Sequence, residues 1–213
     1  MNKSKYVAAL AVVLVGGSLA YLASQSVAAP GASSAKAEIG QVVPNFTLKD
    51  VYGKSFSLSD FKDKTVVLQW FNVGCPAING CDERKVMAET YAKYAEKGVI
   101  WLAVDSTAGA DAEKNRIYAA QKGLQFPILM DPDGKVGHMF GAASTPHMFV
   151  IDKAGKLVYT GAIDDNKQGD NEDPKSYVGA ALDATLAGKA VDTPRTKSYG
   201  CGVKYARKAR SGS

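Results

Sequence analysis

The chain has 213 residues, of which 46% are hydrophobic and 22% charged, and this balance is ordinary for a globular protein. Its length predicts one domain with appended segments. The formal net charge is +5, but much of the excess lies at the two ends of the chain. The charge therefore gives no support for a nucleic-acid-binding surface, and we predict no nucleic-acid partner.

Residues 1–28 have the features of a targeting segment. Lys3 and Lys5 give a positively charged start, residues 6–23 are apolar or small, and residues 26–28 offer a small-x-small cleavage site. The alternative is an uncleaved anchor, because the apolar run approaches the roughly 18 residues that can span a bilayer. Glycines within the run favour cleavage. In either case we expect an exported domain, periplasmic or otherwise extracytoplasmic, which an uncleaved anchor would hold near the membrane.

The rest of the chain divides into a linker, a domain and a tail. Residues 29–38 are small or polar and indicate a flexible linker, the domain is expected over residues 39–190, and residues 191–213 form a basic tail that contains a cysteine. The elements expected in the domain are, in chain order, a β-hairpin with strands at 46–48 and 55–58, a buried strand at 65–71, a helix at 84–97, a buried strand at 99–104, a helix at 111–122, a short strand at 126–130, a short helix at 135–140, a hairpin with strands at 147–152 and 156–160, and a helix at 174–186. This order predicts an α/β fold with a mixed β-sheet, helices on both faces and an N-terminal β-hairpin extension.

One cysteine stands at a position that favours reactivity. The buried strand 65–71 leads into a short loop and then into Cys75 and Pro76. Proline is favoured at the start of a helix, so we expect Cys75 at a helix N-terminus. There the helix dipole and the free backbone N–H groups stabilise a thiolate, which is the reactive form of cysteine. We therefore predict that Cys75 is a nucleophile; the alternative is a small buried hydrophobic residue.

Short motifs in a fixed order carry a resemblance to a known family. They are Ile39-Gly40, Pro44-x-Phe46-x-Leu48, Gly53-Lys54, Leu58-Ser59-Asp60-Phe61, Cys75-Pro76, Val104-Asp105, Phe126-Pro127, Thr145-Pro146, Phe149-x-Ile151-Asp152 and Gly155-Lys156. In this order and spacing the chain resembles the thioredoxin-like superfamily, specifically its redoxin or peroxiredoxin-related branch (alkyl hydroperoxide reductase/thiol-specific antioxidant). The resemblance implies a thioredoxin-like fold and thiol chemistry at Cys75 without a cofactor. Its partner would be a protein thiol or disulfide, or a small hydroperoxide.

Two further motifs resemble parts of the same superfamily. Thr145-Pro146 is similar to the Thr-Pro pair of thioredoxins, which is cis and lies against the reactive cysteine, so the resemblance implies a cis bond at Pro146 beside Cys75. From sequence alone such a bond is cis in only about 5% of cases, and the alternative is a trans proline that starts an edge strand. The segment 200–205, Gly-Cys-Gly-Val-Lys-Tyr, resembles the C-terminal end of one redoxin subfamily.

The chain also departs from both parent patterns. Thioredoxins carry a second cysteine where this chain has Ile78, and many have a buried acid where it has Gln69. Catalytic peroxiredoxins have a threonine where this chain has Asn72, and usually an arginine where it has the Thr145-Pro146 pair. Asn72 can still donate a hydrogen bond at the site, but these departures argue against fast peroxidase activity.

The chain has three cysteines, which leaves open how Cys75 is paired. Cys201 lies in a glycine-flanked tail that we expect to move, so it can reach Cys75 or Cys81, and we rank it slightly above Cys81 as the resolving cysteine. Cys81 is about one and a half helical turns from Cys75, so joining these two requires local unwinding. The remaining alternative is a structural Cys81–Cys201 staple that leaves Cys75 as the free thiol.

The other polar residues give weaker signals. Imidazole from His138 or His147 together with a thiolate suits copper, but the spacing of Cys75 and Cys81 differs from that of copper chaperones, so we predict no metal site. The acidic loop 164–173 lacks the ligand order of a calcium loop and is expected to be solvated, as is the basic chain end.

These observations lead to one leading hypothesis and one alternative. The leading hypothesis is an exported thiol-dependent oxidoreductase whose Cys75 thiolate attacks a disulfide or a hydroperoxide. The alternative is a non-catalytic binding module, or a copper metallochaperone, that kept the fold and lost the chemistry.

Overall fold

The computed structural model describes residues 36–207. The predicted targeting segment, residues 29–35 of the expected linker and residues 208–213 lie outside the described range. Within that range no helix has the length and apolar character needed to cross a membrane.

The fold is built on one large mixed sheet. Its strands are β1 (Thr47–Asp50), β2 (Ser55–Ser57), β3 (Val66–Trp70), β4 (Ile100–Asp105), β5 (Ile128–Met130), β7 (His147–Ile151) and β8 (Leu157–Gly161), and a separate pair is formed by β6 (Ser144–Thr145) and β9 (Cys201–Gly202). The helices are α1 (Pro76–Glu83), α2 (Val86–Ala95), α3 (Ala112–Lys122), α4 (Lys135–Phe140) and α5 (Tyr177–Leu186), with a 3-10 turn at Leu58–Phe61. The seven strands of the large sheet lie in the order β2-β1-β5-β4-β3-β7-β8.

The central strand β3 is buried because its side chains alternate between two apolar clusters. Val66, Leu68 and Trp70 pack in the cluster that includes α4, whereas Val67 packs in the cluster that includes α1, α2 and α5. Strand β3 runs parallel to β4 and antiparallel to β7, and β1 pairs antiparallel with β2. The predicted mixed sheet with helices on both faces and an N-terminal hairpin is therefore confirmed.

The helix that we predicted over residues 84–97 differs in the structure. Helix α1 begins directly after Cys75, and Lys85, whose φ is 58°, separates it from α2. A residue in the left-handed conformation interrupts a helix, and lysine at this position carries no sequence signal for that conformation. The final helix begins at Tyr177 because the side chain of Ser176 caps it.

The C-terminal segment, residues 194–205, is bonded to the domain. Thr160 N–H donates to the carbonyl oxygen of Pro194 at 3.0 Å, and Val203 N–H donates to that of Ala143 at 3.2 Å. Our expectation of a loose, solvated tail is therefore wrong for these residues. Composition was misleading here because backbone and hydroxyl groups, rather than a run of apolar side chains, make most of the contacts.

Candidate active site

Cys75 is the N-cap residue of α1, as the sequence predicts. Pro76 follows at the first helical position. Cys75 N–H donates to the carbonyl oxygen of Asn72 at 3.1 Å, which closes the loop between β3 and α1. The thiol therefore lies beside the unpaired N–H groups of the first helical turn. Cys75 is only 1% exposed.

The Thr145–Pro146 peptide bond is cis and lies against Cys75. The Cys75 thiol donates to the carbonyl oxygen of Thr145, with 2.9 Å between sulfur and oxygen. The hydroxyl of Thr145 is buried, and no described residue accepts from it or donates to it. This hydroxyl is therefore free to donate to a Cys75 thiolate.

Cys201 approaches the same place from the C-terminal segment. Strand β9 pairs antiparallel with β6, and in this register Cys201 is opposite Thr145. Cys201 therefore lies beside Cys75, since the carbonyl of Thr145 accepts from Cys75 and Cys201 packs against the apolar cluster that contains Cys75; neither cysteine is in a disulfide. The structure thus brings together Cys75, Thr145, Pro146 and Cys201, four of the residues predicted for the site.

Gly200 allows the C-terminal segment to come this close. Its φ is 116°, and a Cβ atom at this position would lie under 3.0 Å from the carbonyl oxygen of Thr145. Only glycine fits both the conformation and the space. A side chain at Gly200 would push the segment, and Cys201 with it, away from Thr145.

Hydrogen bonds hold the segment on the N-terminal side of Cys201. Tyr199 OH donates to the carboxylate of Asp164, which is 3% exposed. Thr196 Oγ1 accepts from Ala162 N–H at 2.9 Å. These two bonds fix the part of the segment that leads into Gly200, the glycine that contacts Thr145.

Tyr205 holds the segment on the other side of Cys201. Its hydroxyl donates to the carbonyl oxygen of Ala142 at 2.8 Å, and its ring stacks on His138 with 4.1 Å between centroids. The ring fits because Gly134 and Gly137 have no side chains: a Cβ atom there would lie 2.7 Å and 2.5 Å from it. Tyr199 and Tyr205 together clamp the segment at both ends.

The surroundings of Cys75 favour its thiolate. Burial raises the pKa of Cys75, but hydrogen bonds from Cys201, Thr145 and the backbone of Ile78 outweigh burial, so the pKa lies below its usual value. The pKa of Cys201 is raised because its thiol donates to Cys75 and because of burial. When the pair loses its first proton, the negative charge therefore resides on Cys75 and the remaining proton on Cys201.

Cys81 is separate from this pair. It is 1% exposed inside α1, which continues unbroken through it. Burial is the main reason that its pKa rises to about 11, although the guanidinium of Arg84 lies 3.7 Å from the sulfur. Such a thiol stays protonated at neutral pH and is a poor nucleophile. The geometry places Cys201, rather than Cys81, opposite the residue that accepts from the Cys75 thiol.

The residues at the departure positions have structural partners. The amide of Asn72 donates to Thr107 Oγ1, and its Oδ1 accepts from Gly74 N–H at 2.6 Å. Asn72 therefore shapes the loop before Cys75, and its amide is not directed at the sulfur as we expected. Gln69 accepts from Trp101 Nε1 at 2.9 Å. Gln69 therefore does not take the role of the buried acid of thioredoxins, and Asn72 does not take the role of the threonine of peroxiredoxins.

The histidines are part of the scaffold of this site. His147 Nδ1 accepts from Ala143 N–H at 3.1 Å, and its Nε2 lies 3.0 Å from Thr160 Oγ1. Burial lowers the pKa of His147 to about 4, so the ring is neutral at pH 7. Over residues 36–207, no three His, Cys, Asp or Glu side chains are grouped as metal ligands.

The clamp residues Tyr199, Gly200 and Tyr205 were not among the predicted site residues. A signal for two of them was present, since both belong to the motif at 200–205 that resembles a redoxin subfamily. Tyr199 and its partner Asp164 carried none, because their contact joins distant parts of the chain.

Comparison with known proteins identifies the family. The AhpC/TSA family model matches residues 39–160. The thiol-disulfide oxidoreductase ResA of Bacillus thuringiensis is 39% identical over 124 residues, which is 58% of this chain and 69% of that protein. Two crystal structures are similar at 30% identity: a hypothetical protein from Sinorhizobium meliloti (TM-score 0.74, covering 80% of this chain and 96% of that one) and an uncharacterized conserved protein from Geobacillus kaustophilus (TM-score 0.73, 81% and 94%). The chain therefore belongs to the AhpC/TSA family, which confirms the predicted redoxin branch, its thioredoxin-like fold and its oxidoreductase class.

Proposed function

We propose that the protein exchanges disulfides with protein thiols and that Cys75 and Cys201 are its redox couple. One observation carries this proposal: Cys201 is opposite Thr145 in the β6–β9 pair, and the carbonyl of Thr145, next to the cis bond, accepts from the Cys75 thiol at 2.9 Å. The ResA relative, whose name states thiol-disulfide exchange, supports the same reaction class. A copper metallochaperone has no comparable support, because Cys75 is already engaged by Thr145 and Cys201.

The proposed cycle uses the charge distribution at the pair. In the reduced protein, one sulfur of the couple attacks a partner disulfide as a thiolate, forms a mixed disulfide and expels the first partner thiolate. The second sulfur of the couple, once deprotonated, then attacks the couple's own sulfur in that mixed disulfide, releases the second partner thiolate and closes the Cys75–Cys201 bond. In the oxidised protein, a bond joins Cys75 Sγ and Cys201 Sγ. Reduction of that bond takes two electrons from a partner dithiol, which becomes a disulfide, and the partner's two protons balance the two thiols that are restored.

A hydroperoxide is the second candidate substrate, and the same arrangement favours it. Cys75 thiolate would attack the outer peroxide oxygen, release an alcohol after protonation and become a sulfenic acid. The thiol of Cys201 would then displace the hydroxyl as water and form the Cys75–Cys201 disulfide. We rank this candidate second because the amide of Asn72 is committed to Thr107.

We also propose that the domain is exported. The charged start, apolar run and cleavage site of residues 1–28 support this location, and residues 29–35 would then connect to a domain that continues through residue 205. Disulfides persist outside the cytoplasm, which fits a couple that cycles between thiol and disulfide. The mass of the mature protein after cell fractionation tests the cleavage and the compartment.

Peptide mapping after oxidation tests the couple. The full chain is treated with oxidised glutathione, quenched with acid and alkylated, and its cysteine peptides are identified. We expect a Cys75–Cys201 bridge in the wild type and in Cys81→Ser, but not in Cys75→Ser or Cys201→Ser. Disulfide reductase activity should be present in the wild type and in Cys81→Ser and lost in Cys75→Ser and Cys201→Ser. A bridge through Cys81, or a Cys75 that stays reduced while the protein is active, would overturn the proposal.

A further inference from the structure

The two sulfurs of the couple differ in how they meet solvent. Cys75 is 1% exposed, whereas Cys201 is partly exposed. The residues on either side of Cys201 are Gly200 and Gly202, both exposed and without side chains. An incoming molecule therefore meets open backbone around Cys201 and meets Cys201 itself before it can reach Cys75.

From this we propose that partner proteins exchange disulfides at Cys201. Cys75 reacts only with Cys201: it is released as a thiolate when the Cys75–Cys201 bond breaks, and it attacks Cys201 when that bond forms again. The inference rests on the proposed function, since it assigns the two roles within the Cys75–Cys201 couple. It reverses the assignment expected from sequence, in which Cys75 attacks the external substrate and Cys201 resolves the product.

The exchange can be written with every atom accounted for. A partner thiolate attacks Cys201 Sγ of the Cys75–Cys201 disulfide, a partner–Cys201 bond forms, and Cys75 leaves as a thiolate. The second thiol of the partner, once deprotonated, attacks the partner's own sulfur in that mixed disulfide. Cys201 leaves as a thiolate and takes up a proton. The partner loses two electrons as it becomes a disulfide, and the couple gains them as the Cys75 thiolate and the Cys201 thiol; one partner proton goes to Cys201 and the other to solvent.

The environment of each sulfur suits these roles. A disulfide breaks faster when the departing sulfur is the one that better holds negative charge. Cys75 is at a helix N-terminus, and although burial raises its pKa, interactions with Cys201, Thr145 and the backbone of Ile78 lower that pKa by more. Cys201 is held on a short strand, where its own pKa is raised, so it recovers its proton readily when it is released.

Access at Cys201 also requires no opening of the clamp. Exposing Cys75 would break the Tyr199–Asp164 hydrogen bond on one side and the Tyr205–Ala142 bond and His138 stack on the other. Attack at Cys201 leaves all of these contacts in place. The segment therefore covers one sulfur and presents the other.

A trapping experiment on the full chain separates the two roles. The oxidised wild type is mixed with a synthetic peptide that carries one cysteine, quenched in acid within milliseconds to seconds, alkylated and mapped. We expect the peptide on Cys201, with Cys75 alkylated, in at least ten-fold excess over the opposite adduct. An equal split or a peptide mainly on Cys75 would overturn the inference and leave the redox couple standing, whereas absence of the starting bridge would remove the proposed function.

A second measurement tests whether the segment covers Cys75. In the Cys81→Ser/Cys201→Ser protein, Cys75 is the remaining thiol, and its rate of reaction with a disulfide-bonded peptide is measured. We expect a slow reaction that accelerates at least ten-fold when Tyr205→Ala loosens the segment. Circular dichroism confirms that each variant is folded. Equal rates in the two proteins would show that the segment does not control access to Cys75 and would refute the assignment.

Discussion

Replacement of Gly200 by alanine is the most direct test of the site, because it disturbs the couple without changing a cysteine. A Cβ atom at Gly200 meets the carbonyl oxygen of Thr145 at under 3.0 Å, and the φ of 116° disfavours any side chain. The segment must therefore shift by roughly 1 Å to restore van der Waals contact. Since Thr145 is the residue opposite Cys201, this shift moves one sulfur away from the other.

The size of the effect follows from the steric cost of closing the disulfide. To form the Cys75–Cys201 bond in the variant, the segment must return towards Thr145 against the added Cβ atom, which costs on the order of 1–3 kcal/mol, as overpacking of a filled site does. We expect the equilibrium constant for oxidation by glutathione to fall about ten- to a hundred-fold in Gly200→Ala, which corresponds to a reduction potential higher by about 30–60 mV.

Gly188→Ala provides the matched control. Gly188 also has a positive φ, of 68°, but a Cβ atom there meets nothing within 4 Å. This variant carries a comparable backbone strain of about 1–2 kcal/mol, far from the cysteines. Redox titration against glutathione, read out by alkylation and mass, should show an unchanged potential for Gly188→Ala. If Gly200→Ala also keeps the wild-type potential, or if both variants shift equally, then contact between Gly200 and Thr145 does not set the couple.

Three further predictions concern residues around the pair. Tyr205→Ala should raise the reduction potential of the couple, whereas Tyr205→Phe, which keeps the stack on His138, should raise it less; the glutathione titration measures both. Cys81→Ala should leave that potential unchanged and lower the free energy of unfolding by less than about 1.5 kcal/mol, as denaturant titration would show. The pKa of His147 is about 4 in the folded protein, against a reference value of 6.5. Between pH 4 and pH 6.5, His147 is therefore protonated in the unfolded chain but neutral in the folded protein. Stability should therefore fall by up to about 3 kcal/mol as the pH drops from 6.5 to 4, and this slope should be absent in His147→Gln.

Local patterns in the sequence were sufficient to predict one half of the site. A β-branched and aromatic run, a short loop and Cys75-Pro76 predict a buried strand that delivers a cysteine to a helix N-terminus, and the structure has this arrangement. The cis bond at Pro146 required the family resemblance, because the local sequence does not distinguish cis from trans strongly enough.

The other half of the site depends on contacts that no local pattern reports. Tyr199 donates a hydrogen bond to Asp164, and the ring of Tyr205 lies against Gly137 in α4 and Gly134 in the turn before it. Composition alone favoured a solvated tail because the segment is basic and contains few apolar residues. Its docking comes instead from hydrogen bonds and shape, whose partners are brought near only when the whole sheet has formed.

Ile78 bears on where a second sulfur for Cys75 can come from. Ile78 stands where thioredoxins have their second cysteine, and it is fully buried in the core cluster that includes α1. The thioredoxin pair of cysteines at the helix start is therefore not available to Cys75, and in the proposed couple oxidation joins the helix to the clamped C-terminal segment. Linkage then applies in both directions: contacts that hold the segment favour the disulfide, and the disulfide favours those contacts by the same free energy. For the proposed couple we therefore expect the reduction potential to depend on how tightly Tyr199 and Tyr205 hold Cys201 beside Cys75, in addition to the acidity of either thiol.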